Sequence, residues 1–154
     1  MANENVGKIF SAMNVSLSAM QAQRRRMDVI ASNLANAEST RSPDGSGPYR
    51  CQHVVFEAVL NEAQNSAKDP STAVGGVRVS DVVTDNLADH PFTVVHMPGH
   101  PDADANGNVL MPNVNPAMEM ADMVGAARSY EANAAALKIS RMMLQRSLEI
   151  GKNA

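Results

Sequence analysis

The 154-residue chain has no tryptophan, two tyrosines and three phenylalanines, so aromatics make up only 3% of it. Aromatic rings bury more apolar area apiece than other side chains, and their scarcity leaves self-sufficient folding in doubt. A lone cysteine, Cys51, excludes an intramolecular disulfide framework, and without a C-x-x-C there is no zinc pattern. No apolar run approaches the roughly 18 residues of a membrane-spanning helix. Residues Met1 to Gly7 lack a charged stretch followed by an apolar one, so no cleavable secretory signal is expected there. Positive charge is not in excess either: the net charge is −3, which argues against nucleic-acid binding. The triplet Arg24-Arg25-Arg26 is the local exception, but successive helical residues point about 100° apart, so the three do not form one surface. Esterase, P-loop and dinucleotide motifs are all missing. What the chain has instead is alanine and eleven methionines, flexible side chains suited to surfaces that repack against several neighbours.

Glycine and proline are absent between Lys8 and Thr40. There the apolar side chains recur at Phe10, Met13, Leu17, Met20, Met27 and Leu34, with Arg24 and Ala31 completing a three–four alternation. The run predicts a helix of about 39 Å over residues 9–34. The far end repeats the pattern at Met120, Met123, Ala127, Tyr130, Ala134, Leu137, Arg141, Leu144 and Leu148. Pro116 suits a first helical turn and Gly151 a C-terminal stop. Residues 41–115 hold seven of the eight prolines and most of the glycines. Turn dipeptides stand at Asp44-Gly45 and Asn106-Gly107, and β-rich pieces at His53–Phe56, Gly76–Ser80 and Phe92–His96. Ala63–Thr72 reads as a loop or mobile stretch.

These patterns predict a mainly α fold in which long N- and C-terminal helices form an antiparallel coiled-coil hairpin. The predicted parts are 1–40 as the first axial helix, 41–115 as a small β-containing, Pro/Gly-rich module, and 116–154 as the second axial helix. Matching the seams antiparallel gives partner numbers summing to about 154, within about one turn. That register brings Arg24 near Tyr130 and Glu131 as platform and counter-charge; alternatively Arg24 lays its stem along the seam and keeps its head in water.

Chemistry is hinted at in three places. Asp102-Ala-Asp104-Ala-Asn106-Gly107 matches the opening of an EF-hand loop, but its twelfth position is Asn113, not glutamate, and Pro98, Gly99, Pro101 and Pro112 break both flanking helices. A carboxylate-rich turn bonding its own backbone is the expected reading. His96 and His100 have i, i+4 spacing, but Pro98-Gly99 between them removes the helix that would make a zinc pair; no metal or other cofactor is expected. Arg50 beside Cys51 is a weak reason for a lowered thiol pKa. No catalytic residues are expected.

Three segments together resemble one family, the flagellar axial proteins of the rod and hook. The first is Ala31-Ser32-Asn33-Leu34-Ala35-Asn36 running on to Arg41 and through Gly47-Pro48-Tyr49. The second is Pro98-Gly99-His100-Pro101-Asp102-Ala103-Asp104-Ala105-Asn106-Gly107, which is similar to the proximal-rod type in particular. The third is Arg128-Ser129-Tyr130-Glu131-Ala132-Asn133. The likeness runs over nearly the whole chain, with departures at Met97 and around Asn86–His90. It implies a structural protein, not an enzyme. Such a subunit is exported through the flagellar type III apparatus without signal cleavage and assembles in the periplasmic space into the hollow drive shaft. The implied partners are copies of itself, other rod proteins, and the inner-membrane ring with its rod-base adaptor; no nucleic acid or small-molecule substrate is implied. The residues themselves leave two alternatives open, a small calcium-responsive binding module resting on Asp102, Asp104 and Asn106, and a generic helical adaptor.

Overall fold

Freedom from glycine and proline lets the first segment run as one helix, and the computed structural model shows it as α1, Ala2–Ala35. The structure describes residues 2–42, 47–59, 75–85 and 92–152. After α1 come β1 (Gln52–Val59), β2 (Gly76–Thr84), β3 (Thr93–His96), β4 (Asn108–Met111) and α2 (Pro116–Lys152). At 1.5 Å per residue the 34-residue α1 and 37-residue α2 are about 51 and 55 Å long. Helix α2 starts where expected: the Asn115 side chain accepts from the amides of Ala117 (3.0 Å) and Met118 (3.3 Å), an N-cap with proline at the first helical position. Its end differs, since the helix continues through Gly151 to Lys152.

Strands β1 and β2 form one two-stranded sheet and β3 and β4 another. The second is antiparallel, with Thr93 opposite Met111, Val94 opposite Leu110, Val95 opposite Val109 and His96 opposite Asn108. Three strands lie where β-rich pieces are predicted. β4 is an addition, following directly on the Asn106-Gly107 turn, where Gly107 adopts φ 76°. The Asp44-Gly45 dipeptide, Ala63–Thr72 and Asn86–His90 lie outside the described residues.

The chain divides into two units. Unit 1 comprises Met1–Arg25, Phe56–Ser80 and Ala126–Ala154; unit 2 comprises Arg26–Val55 and Asp81–Gly125. Among the described residues of unit 1 the buried apolar ones are Ala22 and Ala126. There Ser18 fastens the start of β2 to α1: its hydroxyl donates to the Val15 carbonyl (2.8 Å) and accepts from the Val77 amide (3.2 Å). A Cβ on Gly76 would stand 2.9 Å from that hydroxyl, so glycine permits the approach. In unit 2 the buried described residues are Val29, Ile30, Pro48, Cys51, Val109 and Pro112 with the polar Asn33 and Glu119. Helix segments there run antiparallel, because Asn33 meets Glu119 while the earlier Arg26 meets the later Asp122.

The expected coiled-coil hairpin is corrected by these observations. Among the described residues there are two long helices and two small two-stranded sheets, and the helices, though compatible with a hairpin, do not close the predicted apolar seam. The reason is phase. On α1 the positions Phe10, Asn14, Leu17, Gln21, Arg24, Asp28, Ala31 and Ala35 are all exposed, and the buried stripe is Ala22, Val29, Ile30 and Asn33. At 100° per residue the predicted seam lies about 160° around α1 from the buried stripe. A buried stripe that alternates Ala22, the pair Val29-Ile30 and the polar Asn33 is also not the regular a/d series that a coiled coil requires.

Candidate functional site

The most tightly ordered cluster lies in unit 2, where α1 ends. Asn33 is 1% exposed and uses its whole amide. Its Oδ1 accepts from the Gln52 backbone amide and the Tyr49 hydroxyl, both at 2.9 Å. Its Nδ2 donates to the Gln52 carbonyl (2.9 Å) and to Glu119 Oε2 (3.3 Å). The side chain thus pairs with both backbone groups of the first residue of β1, as a neighbouring strand would. Only a planar amide offers donor and acceptor side by side for this. Ser32 adds a contact to the Tyr49 hydroxyl at 3.4 Å. Asn36 closes the helix end: its Nδ2 donates to the Ser32 carbonyl (2.9 Å) and its Oδ1 accepts from the Ser39 hydroxyl (3.2 Å). Leu34 is half-buried and Ala35 exposed.

Glu119 stands in the first turn of α2, where a negative charge complements the helix N-terminus. Its other oxygen, Oε1, accepts from the Cys51 thiol at 3.7 Å. Burial and, after it, the nearby Glu119 charge push the thiol pKa up to about 12. Cys51 is therefore a protonated, buried donor, and the lowering that Arg50 could have produced is not what the structure shows. Nucleophilic chemistry requires the opposite shift.

A second ordered element is the loop from Met97 to Gly107. Asp102 reaches back to the segment after α1, accepting from the Thr40 hydroxyl (2.7 Å) and from Arg41 Nε (2.6 Å). The Arg41 guanidinium and that hydroxyl hold its carboxyl below the usual range. Asp104 turns to its own backbone, accepting from the amides of Asn106 and Asn108, each at 2.8 Å. The two carboxylates of the EF-hand-like string thus serve different partners, as the turn reading expects for Asp104. Gly107 closes the loop, its amide donating to the Asp104 carbonyl and its carbonyl accepting from the Met97 amide. A Cβ there would lie 3.1 Å from His96 Cε1 and 3.2 Å from Pro98 Cβ. His96 approaches Asn108 Oδ1 at 3.2 Å, whereas His100 Nδ1 accepts from the Asp102 amide, so the two imidazoles are engaged separately. Pro98, Gly99 and Pro101 are exposed, and no group of three metal-binding side chains occurs among the described residues.

The predicted helix positions sort by face. On α1, Phe10 and Leu17 are 51% and 46% exposed, Arg24 is exposed, and Met13, Met20 and Met27 are half-buried. On α2, Met123, Tyr130, Asn133, Leu137 and Leu144 lie on the more covered face, and Met120, Arg128, Glu131 and Leu148 are exposed. Asn133 donates to the Ser129 carbonyl at 2.8 Å. The ion pair between the helices is made by Arg26 with Asp122 at 3.2 Å; Arg24 enters none among the described residues. Glu119, Cys51 and Tyr49 were not singled out from sequence as members of one cluster. The acidic first turn of α2 was the available signal.

Long helices with solvent-facing apolar positions, held by a polar latch and a tightly turned loop, define a structural subunit built to pack against neighbours. Family models agree: "Flagella basal body rod protein" matches residues 13–41, and "Flagellar basal body rod FlgEFG protein C-terminal" matches residues 105–150. Among curated relatives, the flagellar basal-body rod protein FlgC of Bacillus subtilis is 43% identical, covering 93% of this chain and 98% of its own. Those of Salmonella typhimurium (40%; 94% and 98%) and Borreliella burgdorferi (39%; 92% and 97%) are similar. The chain belongs to the family of the flagellar basal-body rod protein FlgC.

Proposed function

We propose that the chain is a structural subunit of the proximal part of the flagellar basal-body rod, without enzymatic activity. It assembles helically with copies of itself and with other rod proteins into the hollow shaft that transmits torque. Exported through the type III apparatus without signal cleavage, it takes its place in the periplasmic space between the inner-membrane ring, with its rod-base adaptor, and the hook. In this reading residues 1–40 and 116–154 supply the axial helices and residues 41–115 the outer contacts. The carrying observation is the set of large apolar side chains that both long helices leave exposed, Phe10 and Leu17 along one face of α1 and Met120, Ile139, Met143 and Leu148 around α2. Exposed apolar surface on this scale marks an interaction site.

The test is deletion of the gene in its native host and complementation with an epitope-tagged copy. Deletion should give non-motile cells whose isolated basal bodies end before the hook, and the tag should co-purify with the shaft and label it in electron micrographs. Motile deletion cells with intact rods, or a tagged chain found only in the cytoplasm, would defeat the proposal.

A further inference from the structure

We propose that the outer face of the β3–β4 hairpin of one copy docks on the Leu17–Arg25 stretch of α1 of a second copy. The hairpin has an inner and an outer face. Val109 is buried on the inner one, whereas the cross-strand partners Val94 and Leu110 are 60% and 48% exposed. An exposed apolar cross-strand pair is the kind of patch a two-stranded sheet needs to cover. Beside it runs a groove of about 500 Å³ lined by Thr40, Pro48, Asp102, Asp104 and Asn108. Asp102 is neutralised by Arg41. Asp104 is exposed, and only backbone amides meet its carboxylate, so its negative charge has no side-chain counterpart among the described residues.

The occupant follows from charge. Residues 41–115 contain nine Asp and Glu against four Lys and Arg, a net of −5, whereas residues 1–40 and 116–154 are each net +1. On α1 the exposed Arg24 and Arg25 form no ion pair among the described residues. Leu17 lies two turns from Arg24 on the same exposed face, about 10.5 Å along the axis. The α1 stretch therefore offers an apolar anchor and a cation where the hairpin offers an apolar pair and an anion. Opposite charges across an interface of this kind fix partner and register. The two patches are different surfaces of one chain, and when a copy offers them to two different neighbours the contact is head-to-tail. Repetition of such a contact builds an open helix when the rotation does not close, which is the geometry a rod subunit needs; in this respect the inference rests on the proposed function.

The test uses the full chain in assembled basal bodies. A Leu17→Cys, Leu110→Cys double variant, oxidised in place, should give a ladder of disulfide-linked multimers, and each single variant should give none; the native Cys51 is buried and stays silent. As a second probe that keeps the native surfaces, carbodiimide treatment of Arg24→Lys rods should join the substituted position to the Asp102–Asn108 loop, detected as one cross-linked peptide. Rods that contain the chain but yield neither product overturn the docking and leave the rod assignment intact. Cross-links from the Leu110 position to itself, or to a different rod protein, also overturn it. Absence of the chain from the rods overturns the assignment on which the docking rests.

Discussion

Unit 2 and unit 1 draw on the same two helices but solve burial differently. In unit 2 two branched aliphatics, a valine of β4 and a thiol surround a fully bonded asparagine and a glutamate. Among the described residues of unit 1 the buried apolar ones are two alanines, while Phe10, Leu17, Ile139, Met142, Met143 and Leu148 are exposed. Burial yields roughly 25 cal/mol per Å² of apolar surface, so these exposed side chains of unit 1 gain little within their own chain. The comparison separates two degrees of local closure: unit 2 adds a bonded polar cluster to its larger buried side chains, and both units leave apolar surface for neighbours, unit 2 at Val94, Leu110 and Met118 among others.

The sharpest way to break this comparison is at Asn33. Asn33→Asp replaces the donor facing the Gln52 carbonyl and Glu119 with a carboxylate, and an uncompensated buried charge costs about 3–5 kcal/mol. Urea denaturation should show a loss of that size, with hydrogen exchange accelerating in residues 26–35 and 116–125 before residues 126–149. A loss below about 1 kcal/mol would mean the latch is incidental. Glycines give the next largest effect. Gly107→Ala forces a side chain into positive φ and against His96 and Pro98, a cost of about 1–3 kcal/mol. In unit 1, Gly76→Ala displaces the Ser18 hydroxyl from Val77, worth about 1 kcal/mol. Equal shifts in melting temperature for the two would remove the contrast between the units.

Both helices and three of the four strands were legible in the sequence, because period and punctuation are local signals. β4 was not: four residues after a turn look like loop until Val94 and Leu110 are seen to pair. Helix period was readable, but phase was not. Phe10 and Leu17 are larger than Ala22 and Val29, yet the smaller residues are the buried ones, since a protein that assembles can leave large apolar side chains for a neighbour. The Asn33 motif was visible as a family resemblance only. Its meaning depends on Gln52 and on Glu119, 86 residues away, and no local pattern encodes such pairs. For the same reason the sequence left Arg24 between a counter-charge at Glu131 and solvent, and did not single out Arg26, which makes the cross-helix ion pair with Asp122.

A smaller effect tests the thiol within the latch. The folded state holds the Cys51 pKa up to about 12, against 9.0 for the free group. Below pH 9 the thiol is neutral in both states and its contribution is fully present. Between pH 9 and 12 only the unfolded chain ionises it, so stability falls as pH rises through that window. Tyrosines and lysines titrate in the same range, so the readout is the difference between wild type and Cys51→Ala, whose melting temperature should fall less steeply over that range. Parallel curves would show that Cys51 does not feel the burial inferred for it.

The smallest effect on stability belongs to unit 1, and there the expected outcome is a dissociation of two readouts. Phe10→Ser and Leu148→Ser remove apolar groups that already face water, and surface changes of this kind lie within about 0.5 kcal/mol. Urea midpoints of the isolated chain should therefore be unchanged. Assembly should not be: each substitution deletes area that the proposed shaft covers, so swimming and the amount of chain recovered in basal bodies should drop sharply, more for the double variant than for either alone. If Phe10→Ser destabilised the isolated chain by 2 kcal/mol or so, the cost of exposing a buried aromatic in part, the outward face would be a core in solution. The contrast between the units would then fail. If neither stability nor motility moved, the apolar stripe would be surface without a partner, and the interface would have to be sought elsewhere on α2, at Met120 and Val124.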